Sequence, residues 1–324
     1  MIFLLLIVLL VGVYYLGPKV EVPTTDNTSL PKVNTDLIQL DKEIKEREAQ
    51  IKTLKPNNEA SILWFNKTPT KTKYSIVYLH GWSASKEEGN PVHANIAKRY
   101  GCNLYLSRLA GHGLEEEEPM LNLTATQVIN SAKEAIAIGK QLGEKVIIMG
   151  TSTGATLALH LVGADQDIAA LILYSPNIQI KDPKAKLLTK PWGLQLAKMI
   201  KGSAYHEFDR TIDLKNKYWT TKYRMEALTH LQALVDYTML PATFKKVTRP
   251  TFLGYSSKDS VVSVPAMLKM FDTLGTPKNK KRKLAFSNID NHVLTSYITS
   301  KDLESVQQET NNFIEEVLAV KPLN

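Results

Sequence analysis

Three residues spread along the chain could together turn a hydroxyl into a nucleophile: Ser152, Asp259 and His292. A serine hydroxyl is a weak nucleophile. It needs a base within hydrogen-bond reach and a third group that holds the base in one tautomer. Ser152 stands at the centre of Gly150-Thr151-Ser152-Thr153-Gly154, a G-x-S-x-G spacing. The apolar run 146–149 before it reads as a buried strand, and 155–162 after it reads as a helix. In that context the motif puts its serine on a tight, strained turn above the edge of a sheet. Glycine fits at 150 and 154 because a Cβ there would strike the adjoining helix or strand. Without those flanks the same five residues would be an ordinary turn between core elements.

The acid and the base should follow the serine in that order. Residues 251–255 read as a strand, and Asp259 lies in the loop just past it. Residues 283–287 read as a strand, and His292 lies in the loop that follows. Taken singly, Asp259 is a turn residue like many others. Three such residues, in order and each at a strand end, form a coherent set. Asp290 is two residues from His292, but a carboxylate on the same loop rarely reaches the far side of the ring. Asp259 is therefore the expected orienter. A developing oxyanion also needs donors. The Thr153 N–H, at a helix N-terminus, is one. The Trp82 N–H, in His80-Gly81-Trp82 after the strand at 74–79, is the second. The other histidines form no metal-ligand spacing, so no metal and no other cofactor is expected.

These loops require a frame. Strands at 61–65, 74–79, 103–107 and 168–174 alternate with helices at 91–100 and 124–142, which predicts a parallel sheet with helices on both faces. The alternation stops over 179–246, where helical patches rich in aromatic residues predict an inserted helical cap. It resumes with 251–255, a helix at 264–274, 283–287 and a last helix at 303–320. The core thus comprises 60–178 and 247–324. At 44% hydrophobic and 22% charged, the composition is that of a globular chain. The net charge of +8 is concentrated in lysines at 181–201 and 278–283, which read as solvated loop faces. No nucleic-acid motif accompanies them, so no nucleic-acid partner is expected. The single cysteine, Cys102, excludes an intrachain disulfide.

Residues 2–16 are almost purely apolar and end at Gly17-Pro18. That length is near the lower limit of a spanning helix, roughly 17–25 residues. A positive leader and a small-x-small cleavage site are both missing. The expectation is an uncleaved transmembrane signal anchor over 1–17, giving a single-pass protein partnered with a membrane through 2–16, its catalytic part favoured on the extracytoplasmic side. Residues 18–59 read as a linker followed by an amphipathic helix from Thr35. Leu37, Leu40, Ile44 and Ile51 share one face of it, which should lie across the body.

From about residue 61 onward, the chain resembles the α/β-hydrolases, most of all bacterial esterases and monoacylglycerol-lipase-like or lysophospholipase-like members. The resemblance is carried by His80-Gly81-Trp82, Arg108 with Gly111-His112-Gly113, Gly150 to Gly154, Asp259 and His292-Val293. Arg108-Leu109-Ala110 departs from the more usual Asp-x-Arg. The resemblance implies an α/β-hydrolase fold, with the cap between the sixth and seventh core strands. It also implies a serine hydrolase that cleaves carboxylic esters through an acyl-enzyme. The aromatic cap and the apolar N-terminus favour a small-molecule ester with an apolar or lipid-like acyl group. The same triad would serve a thioesterase, acyltransferase or peptidase. A silent binding scaffold becomes the better reading only if the triad is broken. No sequence feature sets an oligomeric state.

Overall fold

The computed structural model describes residues 2–25, 29–163, 165–208 and 210–323. Two helices come first, α1 (Ile2–Tyr15) and α2 (Leu37–Ala49). The core then opens with β1 (Ser61–Leu63), β2 (Thr72–Leu79), α3 (Val92–Arg99), β3 (Asn103–Leu106), α4 (Ala125–Leu142), β4 (Gly143–Thr151), α5 (Thr153–Leu161) and β5 (Ile168–Tyr174). An insertion follows, with α6 (Gly193–Lys201), β6 (Tyr205–Glu207), α7 (Asp213–Tyr218), β7 (Lys222–Arg224), α8 (Met225–Thr238) and α9 (Pro241–Lys246). The chain closes with β8 (Thr251–Tyr255), α10 (Val264–Thr273), β9 (Lys281–Ala285) and α11 (Leu303–Val317).

Seven strands form one sheet in the order β1-β3-β2-β4-β5-β8-β9. β1 runs antiparallel to β3, and every other neighbouring pair is parallel. The central strands are apolar nearly throughout because both faces are covered. Ile76, Tyr78, Ile147, Met149, Ile172 and Phe252 pack against α3 and α11 on one face. Val77, Leu79, Ile148, Leu171, Leu173 and Leu253 turn to α4, α5 and α10 on the other. From β2 the chain first moves outward to β3, then returns to add β4 on the opposite side of β2. The C-terminal ends of β2 and β4 therefore flank a point where the winding reverses, the place where open α/β sheets bind ligands.

Two expectations about the insertion change. It holds a two-stranded antiparallel ribbon, β6 with β7, as well as helices. At three residues each, these strands are too short to show an alternating pattern. The insertion also falls between the fifth and sixth sheet strands in chain order, because the sheet has seven strands.

The expected membrane segment is corrected. No helix among the described residues is long and apolar enough to cross a membrane. α1 has 14 residues, which is about 21 Å at 1.5 Å per residue, against a hydrocarbon layer of about 30 Å. The apolar run itself is close to, but short of, the roughly 17 residues a span needs, and the helix ends at Tyr15, just before Gly17-Pro18. A single-pass anchor over 1–17, a membrane partner through 2–16 and the location inferred from them fall with it; Met1 itself lies outside the described residues. The end of α1 docks on the cap. Trp192 Nε1 donates to the Val13 carbonyl at 3.0 Å, and the Trp192 N–H donates to the Pro18 carbonyl at 2.9 Å.

α2 is capped by Asp36, whose side chain accepts the Ile38 and Gln39 N–H groups. It buries Leu40, Ile44 and Glu48 against the core. Glu48 meets Arg108, at the end of β3, with Nε to Oε2 at 2.6 Å and Nη2 to Oε1 at 3.1 Å. Glu48 Oε2 also accepts the Ala60 N–H at 3.0 Å.

Candidate active site

β4 ends at Thr151 and α5 begins at Thr153, so Ser152 occupies the turn between them with φ 53° and ψ −117°. A non-glycine residue there stores about 1–3 kcal/mol of strain and persists only if its surroundings fix it. The Ser152 N–H donates to the Tyr174 carbonyl at 2.9 Å. The Ser152 carbonyl accepts from the Thr156 N–H at 3.0 Å and the Asn177 N–H at 3.3 Å. A Cβ on Gly154 would run into the carbonyl oxygens of Leu79 and His80, and one on Gly150 into the backbone of Gly154 and Ala155. Both glycines are therefore demanded by contact between α5 and the strands. The first N–H groups of α5, Thr153 among them, have no acceptor within the helix.

Asp259 and His292 come together across the loops after β8 and β9. His292 Nδ1 lies 2.7 Å from Asp259 Oδ2. Asp259 Oδ1 accepts the Val261 N–H at 2.8 Å and the Val262 N–H at 3.0 Å. Burial pushes the Asp259 carboxyl up, but the His292 hydrogen bond and charge and those two amides outweigh it, leaving it below its ordinary value. An ionised Asp259 makes Nδ1 the protonated nitrogen and leaves Nε2 as a lone-pair acceptor. Nε2 is buried and makes no hydrogen bond among the described residues, to Ser152 or to any other group. Such contacts often tighten only when substrate is bound. Asp290 pairs instead with exposed Lys258 at 2.7 Å. Ser256 Oγ donates to the Ile289 carbonyl at 2.5 Å and ties the two loops together.

The loop after β2 abuts the serine turn: a Cβ on Gly81 would lie 3.1 Å from Ser152 Cβ. Its peptide planes are fixed by neighbours. His80 Nε2 accepts the Leu109 N–H at 3.0 Å, so Nδ1 carries the proton and donates to the Gly81 carbonyl at 2.8 Å. The Ala84 N–H donates to the same carbonyl at 3.3 Å. With Gly81 C=O held on that side, the trans peptide turns the Trp82 N–H the opposite way. Burial, with His112 beside it, holds His80 well below its ordinary value and therefore neutral.

The cap closes down on this loop. Tyr218 and Trp219 pack on Ala84. The Thr220 N–H donates to the Ser83 carbonyl at 2.7 Å. Lys55 Nζ reaches the carbonyls of Asn216 at 3.0 Å and Trp219 at 3.1 Å, and Asn58 Nδ2 that of Lys217 at 3.1 Å. Ser152 is left only 7% exposed. Lys55, the Glu48–Arg108 pair and Glu88, a buried carboxyl on the Gly81 N–H, were not anticipated. Each makes contacts with residues far away in sequence, which only the fold brings together. Among the described residues no three His, Cys, Asp or Glu side chains converge as metal ligands.

Residues 70–286 match the family described as Serine aminopeptidase, S33. The matched span includes Trp82, Ser152, Thr153 and Asp259 and stops short of His292. Direct sequence comparison with curated proteins gives no match. Several solved structures are similar. One, from work on the metagenome-derived lipolytic enzymes LipS and LipT, is 17% identical and covers 81% of this chain and 99% of its own, with a TM-score of 0.66. The monoacylglycerol lipase of Paleococcus ferrophilus is 14% identical, over 81% of this chain and 98% of its own, with a TM-score of 0.57. Est1E from Butyrivibrio proteoclasticus, with ferulic acid bound, is 16% identical, over 81% and 95%, with a TM-score of 0.55. At these identities the likeness is one of fold.

Proposed function

The chain belongs to the serine aminopeptidase (S33) family of α/β-hydrolases, and from that premise we propose that it cleaves carboxylic esters with an apolar acyl group through Ser152, His292 and Asp259. The observation that carries this reading is the 2.7 Å contact of His292 Nδ1 with Asp259 Oδ2, which leaves Nε2 unpaired. Ser152 Oγ attacks the acyl carbon while His292 Nε2 takes its proton. Asp259 holds the tautomer and stabilises the imidazolium. The Thr153 and Trp82 N–H groups hold the oxyanion; one such donor is worth on the order of 10²–10³ in rate. The tetrahedral intermediate collapses as His292 returns the proton to the leaving alcohol. Water then attacks the acyl-enzyme, with His292 as base again, and releases the acid.

The aromatic residues over the loop, Tyr218, Trp219 and nearby Phe208, favour an apolar acyl chain. The names of the similar structures, a monoacylglycerol lipase and lipolytic enzymes, point the same way. The family's description favours a second reading, cleavage of an aminoacyl amide by the same triad. A fluorophosphonate should label the wild-type protein and leave Ser152→Ala unlabelled; labelling that survives the substitution defeats the assignment of the nucleophile. A panel of p-nitrophenyl esters of graded acyl length beside aminoacyl p-nitroanilides separates the two readings. Turnover of the anilides alone would replace the ester reading with the peptidase one.

A further inference from the structure

Glu88 sits in the short turn Lys86–Gly89, which bonds the loop after β2 and the loop that carries His292. Its side chain is buried. Oε2 accepts the Gly81 N–H at 2.5 Å and the Tyr78 hydroxyl at 3.3 Å. The Tyr78 hydroxyl also bonds Thr151 Oγ1 at 3.1 Å, one residue before Ser152. From the loop that carries His292, Thr295 Oγ1 donates to the Glu88 carbonyl at 2.7 Å and Ser296 Oγ to the Glu87 carbonyl at 3.1 Å. No cation among the described residues forms an ion pair with the Glu88 carboxyl; Lys86 Nζ turns away to Glu59 at 2.9 Å.

Gly81 explains why such a group is useful. A Cβ there would lie 2.7 Å from Glu88 Oε1 and 3.1 Å from Ser152 Cβ, so any side chain at 81 would displace the Glu88 carboxyl. Glycine also brings two soft dihedrals to the residue just before the proposed donor. We propose that Glu88 is a positioning residue for the oxyanion hole: it pins the Gly81 N–H while His80 and Ala84 pin the Gly81 carbonyl, and together they aim the Trp82 N–H at the acyl oxygen. This rests on the ester-hydrolase reading.

The protonation state follows from the surroundings. Burial pushes the Glu88 carboxyl up to about 8, with the Gly81 amide and the Tyr78 hydroxyl pulling against it. The facing groups leave that carboxyl without a counter-charge. Tyr78, from β2, is raised well above its ordinary value by burial. His93, from α3, is held down to about 4 by burial. His80 is neutral, and on the turn itself Lys86 is paired with Glu59 and Glu87 binds Asn90. Below about pH 8 a neutral Glu88 leaves the oxyanion unopposed. Above it, a carboxylate on the same amide opposes the developing charge, so acylation should weaken as pH rises.

The test uses the full chain and p-nitrophenyl butyrate, with kcat and KM followed from about pH 6 to pH 10 for wild type, Glu88→Gln and Glu88→Ala. Glu88→Ala should lose about ten- to a hundredfold in kcat with KM nearly unchanged. Glu88→Gln should recover most of that loss and abolish the alkaline fall. An Ala variant with wild-type kcat, or a Gln variant that keeps the fall, overturns the proposal. If Glu88→Ala does not fold, the Gln pH profile decides alone. Wild-type protein that takes no fluorophosphonate at Ser152 overturns the parent reading instead, whereas normal labelling with unaltered variant kinetics overturns this proposal alone.

Discussion

At Asp259 both carboxylate oxygens are committed, one to His292 and the other to two backbone N–H groups. An asparagine would keep the shape and the oxygen that caps the loop. It would present an NH₂ to His292 Nδ1, forcing the proton onto Nε2, where a base needs a lone pair. Asp259→Asn should therefore cost on the order of 10³–10⁴ in kcat and leave KM nearly untouched. Steady-state kinetics at neutral pH read the split, and a loss confined to KM would remove Asp259 from the proposed triad. That Ser152, Asp259 and His292 lie just past strand ends was legible in the order of the elements, and the roles proposed for them rest on that placement. The place of Glu88 was not, since Lys86-Glu87-Glu88 reads as a charged loop. Thr295, 207 residues onward, and Ser296 bond the main-chain carbonyls of this turn, a contact no local pattern announces.

Among the elements, the strand–turn–helix around Ser152 leaves little room for change. Gly154→Ala would push a methyl into the carbonyls that end β2. Overpacking of this kind costs about 1–3 kcal/mol, and calorimetry should show a melting temperature lower by several degrees, at about 2–4 °C per kcal/mol for a domain of this size. An unchanged melting temperature with full activity would mean that α5 can shift freely. The segment over the site depends on a different contact. Lys55→Met keeps an apolar stem but removes two charge-assisted bonds to the carbonyls of Asn216 and Trp219. Amide hydrogen exchange across 213–220 should quicken by about tenfold or more, since such bonds are worth about 1.5–3 kcal/mol each; exchange at the wild-type rate would leave Lys55 no part in holding the cap. The core strands were legible because burial on both faces makes them continuous apolar runs. The β6–β7 ribbon was not, since its six residues, Tyr-His-Glu and Lys-Tyr-Arg, carry no apolar alternation.

Across the whole molecule, the sheet brings four separate stretches of sequence to its C-terminal edge, two of them, after β2 and β4, flanking the point where its winding reverses. The alternation of strands and helices made that architecture readable. The role of the N-terminal region was not readable, because an apolar run close to spanning length reads as an anchor whereas α1 docks its end on the cap, and because Glu48 and Arg108 are sixty residues apart. Removing Glu48 leaves a guanidinium that is 12% exposed without its carboxylate, a loss of about 3–5 kcal/mol. Glu48→Ala should melt well below wild type by calorimetry, and a melt unchanged within error would show the pair to be dispensable. The same pair moves the boundary of what can be transplanted. A fragment cut at β1, where the resemblance to known folds begins, would discard one partner of a bidentate clamp and strand the other inside a foreign host. The smallest graftable piece starts upstream, at Asn34 and Asp36, where the capping of α2 begins.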